Sequence, residues 1–285
     1  MNYTNEMQLP DALVSAIVND TYTKGSADIS VTTLIGPPKI RILTKRHSDK
    51  ITEDVSDHIF RLLGQNTHEI VERIKHPDSF QEERLSMTVK GWKISGQADL
   101  YENGTVTDFK VSSVWACIHG LKPEWICQLN VYGHLFRLAG FPVDKLQIII
   151  FLRDWSKFKG GKDYPRKQVA VLEAPLWGEF QTQTYIRDRV LMHQAADALD
   201  DDDVPICTPA ERWDEVTKYA VVKGNNKRAW RVVESMEEAE KLKAQIEEGT
   251  GDTYRIDIRE GESKRCLHYC SCREFCNFGR GLISF

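Results

Sequence analysis

Between Glu83 and Val111 the chain alternates apolar and polar residues in the manner of strands. Residues 83–89 and 91–101 read as two strands, and a turn at Asn103-Gly104 folds the second onto residues 106–111. Asn-Gly between such runs is a strong hairpin signal, because both central residues of a type I′ turn take φ > 0. The turn sets a register: Glu102 opposite Thr105, Tyr101 opposite Val106, Leu100 opposite Thr107, and Asp99 opposite Asp108. Helical spacing governs other stretches. Ile51, Val55, Ile59, Leu62, Leu63, Ile70, Val71 and Ile74 predict one or two helices beginning at an N-cap Thr52. Trp125, Leu129, Tyr132, Leu135, Phe136 and Ala139 predict another over 123–140. The run 146–152 is apolar and β-branched, which predicts a buried central strand joined to the hairpin by a βαβ-type crossover. A return strand over 168–172 and a polar helix over 177–199 follow, closed by Asp200–Asp203. Four acids oppose a helix C-terminus, so a solvated domain boundary is expected there.

Past residue 204 the pattern restarts. Residues 219–223 and 228–233 flank Gly224-Asn225-Asn226 as a hairpin, Ser235 opens a capped helix, and 253–260 is a strand. Three segments are therefore expected: 1–50, a core over 51–203, and a C-terminal module over 204–285. Within the first, 28–35 reads as a strand or a short capped helix, and Lys39, Arg41, Lys45 and Arg46 as a solvated helix entry.

Composition narrows the class. With 285 residues, 41% hydrophobic and 28% charged, the chain can build one sizeable core and an appendage. A mean hydropathy of −0.43 and the lack of an apolar run near ~18 residues argue against a membrane span. Met1–Glu6 has neither the basic nor the apolar region of a secretory signal. Seven cysteines without an export signal suit a reducing cytoplasm and metal binding better than a disulfide framework. The net charge of −4 gives no global nucleic-acid footprint, so any nucleic-acid contact needs a local basic patch. One is available in the loop 153–167, where Arg153, Lys157, Lys159 and Lys162 alternate with Trp155, Phe158 and Tyr164. Cations track phosphates and rings stack bases.

The hairpin holds the candidate chemistry. Two carboxylates set opposite one another repel, so Asp99 and Asp108 are not paired for stability. A divalent cation between them removes the conflict, and such oxygen donors suit Mg²⁺ or Mn²⁺. Lys110 lies two residues beyond Asp108, on the same face. Gln128 and Tyr132 are i and i+4 on the following helix, hence neighbours.

Asp99, Asp108-x-Lys110 and Gln128-x-x-x-Tyr132, in this order, resemble the RecB-type exonuclease branch of the PD-(D/E)XK nuclease superfamily. That branch carries a His on a helix upstream of the hairpin, a place that His68 fits. The resemblance implies an α/β, restriction-endonuclease-like core, a central mixed β-sheet flanked by helices, followed here by a small α+β cysteine module. It implies a Mg²⁺-dependent deoxyribonuclease acting as an exonuclease in recombination, replication or repair. His68, Asp99 and Asp108 would hold the metal, Lys110 would orient the attacking water, and Gln128 and Tyr132 would fix the substrate strand or the Lys. The expected partners are DNA, as single strands or duplex ends, and a recombination protein. The compact make-up is similar to phage and prophage nucleases, which would work in the host cytoplasm. The competing class is a catalytically silent module of the same fold that binds DNA or protein.

The remaining chemistry is Cys266-x₃-Cys270-x-Cys272-x₃-Cys276, with Cys207 remote from it. A four-thiolate site could take the four clustered residues, or Cys207, Cys266, Cys270 and Cys276. The second set is preferred, because one residue between Cys270 and Cys272 crowds a single metal. Cys270-x₅-Cys276 is similar to the last spacing of iron–sulfur members of the branch. That favours a 4Fe–4S cluster slightly, while the x₃ spacing and the late position of Cys207 leave Zn²⁺ open.

Overall fold

The computed structural model describes residues 1–19, 25–71, 73, 79–81 and 83–283, with the backbone alone for 66–71 and 283. Two compact units result, Met1–Val204 and Pro205–Phe285. Both are mixed α/β, with sheets flanked by helices.

In the large unit the Asn-Gly turn forms where the sequence places it, with Asn103 at φ 47° and Gly104 at φ 78°. It pairs Leu100–Glu102 with Thr105–Ser112 in the register Leu100↔Thr107, Tyr101↔Val106, Glu102↔Thr105. Thr105–Ser112 then runs parallel to Lys145–Leu152, and Val169–Ala174 returns antiparallel at the edge. Ser79–Gln81 closes the other edge of this five-stranded sheet. The middle position belongs to Thr105–Ser112; the apolar run Lys145–Leu152, expected to be central, lies one strand further out. Its inward residues Leu146, Ile148 and Ile150 are fully buried.

The run predicted as one strand over 91–101 is two. Trp92–Gln97 belongs to a separate three-stranded sheet with Arg84–Val89 and Ile29–Ser30, and Leu100–Glu102 belongs to the five-stranded one. The chain crosses between them at Ala98-Asp99. Ile29–Ser30 and the helix Val31–Ile35 realise both readings of that stretch, with the Ser30 hydroxyl capping the helix. Residues 52–54 form a short strand beside Asn2–Thr4 rather than a helix start, and the Asp54 side chain caps the turn that leads to the helix Ile59–Val71. The expected continuation to Ile74 lies outside the described residues.

The helix Pro123–Leu138 begins with Pro at its first turn and is buried on most sides. Its Asn130 explains how a polar residue is accommodated: the amide donates to the Ile126 and Pro175 carbonyls, and its oxygen accepts from the Trp177 amide. The helix Glu179–Asp197 packs beside it.

Of the basic set near residue 40, Lys45 and Arg46 are exposed as a solvated entry would have them, while Lys39 and Arg41 are drawn inward. Lys39 is buried and donates to the Asp201 and Val204 carbonyls at 3.1 and 2.7 Å. Arg46 and His47 grip the Asp201 carboxylate at 2.9 and 2.6 Å, which holds that carboxyl below its ordinary range. The acidic run is thus partly an internal anchor, because its charges meet cations the chain has already brought there.

In the small unit Lys218–Lys223 pairs antiparallel with Arg231–Val233 and Tyr254–Arg259, and the helix Met236–Thr250 covers the sheet.

Candidate active site and cysteine cluster

The strand Thr105–Ser112 carries the site because its period of two sends Val106, Asp108 and Lys110 to one face. Asp108 is 2% exposed and Asp99 4%. Their expected ladder pairing does not form: the ladder ends at Leu100↔Thr107. Asp99 sits in the crossing between sheets, and its Oδ2 accepts the Phe109 amide at 2.6 Å, replacing a strand–strand bond with a side-chain bond. Lys110 reaches back along its own strand, Nζ to Asp108 Oδ2 at 2.8 Å.

Gln128 and Tyr132 meet as the i, i+4 spacing requires, with Gln128 Nε2 donating to the Tyr132 hydroxyl at 2.9 Å. The Tyr132 phenol is held far above its ordinary range, first by burial and then by the Asp108 and Asp99 carboxylates, with hydrogen bonds from Gln128 and Thr32 acting the other way. Tyr132 therefore stays protonated and serves as a hydrogen-bonding group rather than a base. The same phenol thus feels the charge of both carboxylates. Gly96 makes the approach possible, since a Cβ there would lie 2.9 Å from the Tyr132 ring and 2.7 Å from Leu135. A lone Gly inside a strand was the available signal for this close contact. Thr32 carried no comparable signal.

His68 stands on the helix Ile59–Val71 by its backbone, and its side chain lies outside the described residues. Among the described residues no three His, Cys, Asp or Glu side chains come together as a metal-holding group. The fit of a divalent cation at Asp99 and Asp108 rests on donor chemistry: two buried hard oxygen ligands at one locus, with Lys110 balancing one of them.

The basic loop separates into parts. Lys157, Lys159, Arg166 and Lys167 line an open cleft of about 690 Å³. Lys162 is exposed on the same loop, and Arg153 lies over the Phe60 ring at 4.0 Å. The aromatics do not all face outward as expected. Trp155 donates to the Pro165 carbonyl, and the Tyr164 hydroxyl accepts the Ser156 amide, so both rings are spent on shaping the loop. Phe158, 97% exposed, stands free of the core.

In the small unit, Cys207 feels the charge of Cys266, Cys270 and Cys276. The capping box Thr208–Glu211 turns its segment into the helix Pro209–Arg212, and Arg212 binds the Cys207 carbonyl and Asp214. Burial pushes the Cys207 thiol up to about 12, with Glu211 and the three other thiols adding to it. Burial and the neighbouring thiols push Cys266 up to about 11. Cys270 goes down to about 7, chiefly through its contact with the buried Cys272, Sγ to Sγ 3.6 Å. These thiols suit a soft metal by donor type, while among the described residues no three of them come together as a metal-holding group.

No protein-family model matches the chain, and no curated protein matches it. The crystal structure of SSO0001 superposes on 64% of this chain and 84% of its own, at 20% identity and a TM-score of 0.45.

Proposed function

We propose that the protein is a metal-dependent deoxyribonuclease of the RecB-like PD-(D/E)XK type, an exonuclease that hydrolyses phosphodiester bonds at Asp99, Asp108 and Lys110. The observation that carries this reading is the burial of two carboxylates beside one protonated phenol, with a lysine two residues along the same strand. A fold does not bury such charges without a use for them, since desolvation costs several kcal/mol per ion unless a partner compensates (roughly). Asp99, Asp108 and His68 are the proposed holders of Mg²⁺ or Mn²⁺. A cation bound there would polarise the scissile phosphate and lower the pKa of a bound water.

The chain's own groups do the rest. The Phe109 amide fixes one oxygen of Asp99 and so holds the carboxylate in place. Lys110 leaves Asp108 to orient the attacking water and to balance charge building on the phosphate. Gln128 holds the Tyr132 hydroxyl, which remains a neutral donor against the substrate strand. The cleft of Lys157, Lys159, Arg166 and Lys167 supplies backbone affinity for DNA. In the small unit a four-thiolate site, either a 4Fe–4S cluster or Zn²⁺ on Cys207, Cys266, Cys270 and Cys276, is proposed as structural.

End-labelled single- and double-stranded DNA, incubated with Mg²⁺ and separately with EDTA, tests this. The expected result is cleavage with Mg²⁺, none in EDTA, and a loss of at least about 10³-fold for Asp108→Asn and for Lys110→Ala. The thermal midpoint of Asp108→Asn in EDTA should stay within a few degrees of the parent. A large drop in that midpoint would make Asp108 a structural residue and overturn the metal-site reading.

A further inference from the structure

The segment leading from the candidate lysine to Gln128 has a surface that the nuclease reading leaves unused. Beyond Ser112 the chain forms the short helix Val114–Ile118, and Lys122 leads into the helix that holds Gln128 and Tyr132. Trp115 is 58% exposed, five residues past Lys110. His119 stacks on it in a near-parallel arrangement, centroids 5.5 Å apart and planes at 14°. The helix is tied to the basic loop, because Asp154 Oδ1 accepts the Val114 amide at 2.7 Å. A large indole held open to water, supported by a second ring and fixed to a cationic loop, is the arrangement that binds an unpaired base while cations follow the backbone.

We propose that Trp115, supported by His119, is a stacking platform for an unpaired base of single-stranded DNA next to the scissile phosphate. This rests on the nuclease reading and names its substrate: strands with unstacked bases. A base inside a duplex keeps its faces covered by its neighbours, so the platform gives duplex nothing.

The full chain is tested in EDTA, where metal-dependent cleavage is stopped, by fluorescence anisotropy with a labelled oligothymidylate and an abasic strand of equal length. Trp115→Ala should bind the oligothymidylate about ten-fold more weakly, with Trp115→Phe close to the parent. The abasic strand should bind parent and Trp115→Ala alike. Equal affinity of parent and Trp115→Ala for the oligothymidylate, or the same loss on the abasic strand, would overturn the platform. Those results leave Mg²⁺-dependent cleavage by the parent intact, whereas failure of the nuclease reading shows as no cleavage of any strand.

Discussion

The two units meet the same requirement, a stable interior, with different means. Met1–Val204 has a broad apolar core running from Ile29 and Leu34 through Leu129 and Phe136 to Ile148 and Val190. It can afford to bury Lys39, Asp99, Asp108 and His193, each with a partner. Among the described residues, Pro205–Phe285 has a small buried apolar cluster of Val221, Val233, Ala239 and Tyr254, with Tyr219, Leu242, Ile246 and Ile256 packed against it. Its other inner groups include the buried Ala220, Val222 and Cys272, the ion pair of Arg212 with Asp214 and the hydrogen bond from Ser263 to Asp214. Small domains bury too little of their surface to be secure on apolar packing alone, and a metal clip is one common remedy. The difference teaches that a broad apolar core can carry buried polar groups, each with a partner, where a small core leans on polar contacts nearer its surface.

Removing a thiolate breaks the comparison most sharply. Cys207→Ser, Cys266→Ser, Cys270→Ser and Cys276→Ser should each lose the bound metal and unfold the small unit. Structural metal sites contribute on the order of 10 kcal/mol, more than so small a core can replace. Hydrogen exchange should then rise across residues 205–285 and stay unchanged in the sheet around Thr105–Ser112. Cys272→Ser should keep the metal. Metal analysis of anaerobically purified protein separates iron with sulfide from one zinc. If Cys272→Ser strips the metal and Cys207→Ser does not, the four clustered cysteines are the ligands.

A smaller effect belongs to the large unit alone. His193 is fully buried, its Nδ1 accepting from Arg41 Nε at 2.9 Å and its Nε2 donating to the Leu34 carbonyl at 3.0 Å. That pattern requires the neutral ring. Burial, with Arg41 and Arg189 adding to it, lowers its pKa to about 4 from an ordinary 6.5. The unfolded chain takes up the proton first as pH falls, so stability is complete above about 6.5 and declines down to about 4. The loss is on the order of 3 kcal/mol. His193→Gln should be less stable at pH 7 but show a flatter decline of thermal midpoint between pH 7 and 4. An unchanged slope would remove His193 from the account.

How much of this was legible follows from where the physics is local. The Asn103-Gly104 turn fixed three cross-strand pairs because its backbone requirement is carried by two adjacent residues. The Gln128–Tyr132 contact followed from helical spacing. Asp99 was placed beside the right neighbours for a wrong reason. The chain changes sheets at Ala98-Asp99, and alternation continues through that crossing without a Pro to mark it. Lys39 and Asp201, far apart in sequence, carry no local sign that they will meet. The basic loop was legible in charge but not in ring orientation, since Trp155 and Tyr164 found hydrogen-bond partners within the loop itself.

The smallest expected effect sharpens the contrast from the outside of the large unit. Lys157, Lys159 and Lys162 are exposed, and the first two line the cleft. Charges placed there contribute little to stability, since exposed cations are screened and hydrated in folded and unfolded chain alike. They act on a polyanion by releasing its counterions, about one per phosphate contact. Neutralising all three as Gln should therefore leave the thermal midpoint and the His193-linked pH profile unchanged. It should lower the slope of log affinity against log salt for DNA by roughly 2 to 3, with turnover at saturating DNA nearly the same. Lys162, which lies beside the cleft rather than in its lining, sets the spread: reverting it alone should restore less of the slope than reverting Lys157 or Lys159. A slope that does not move on neutralising all three would retire the loop as a DNA contact.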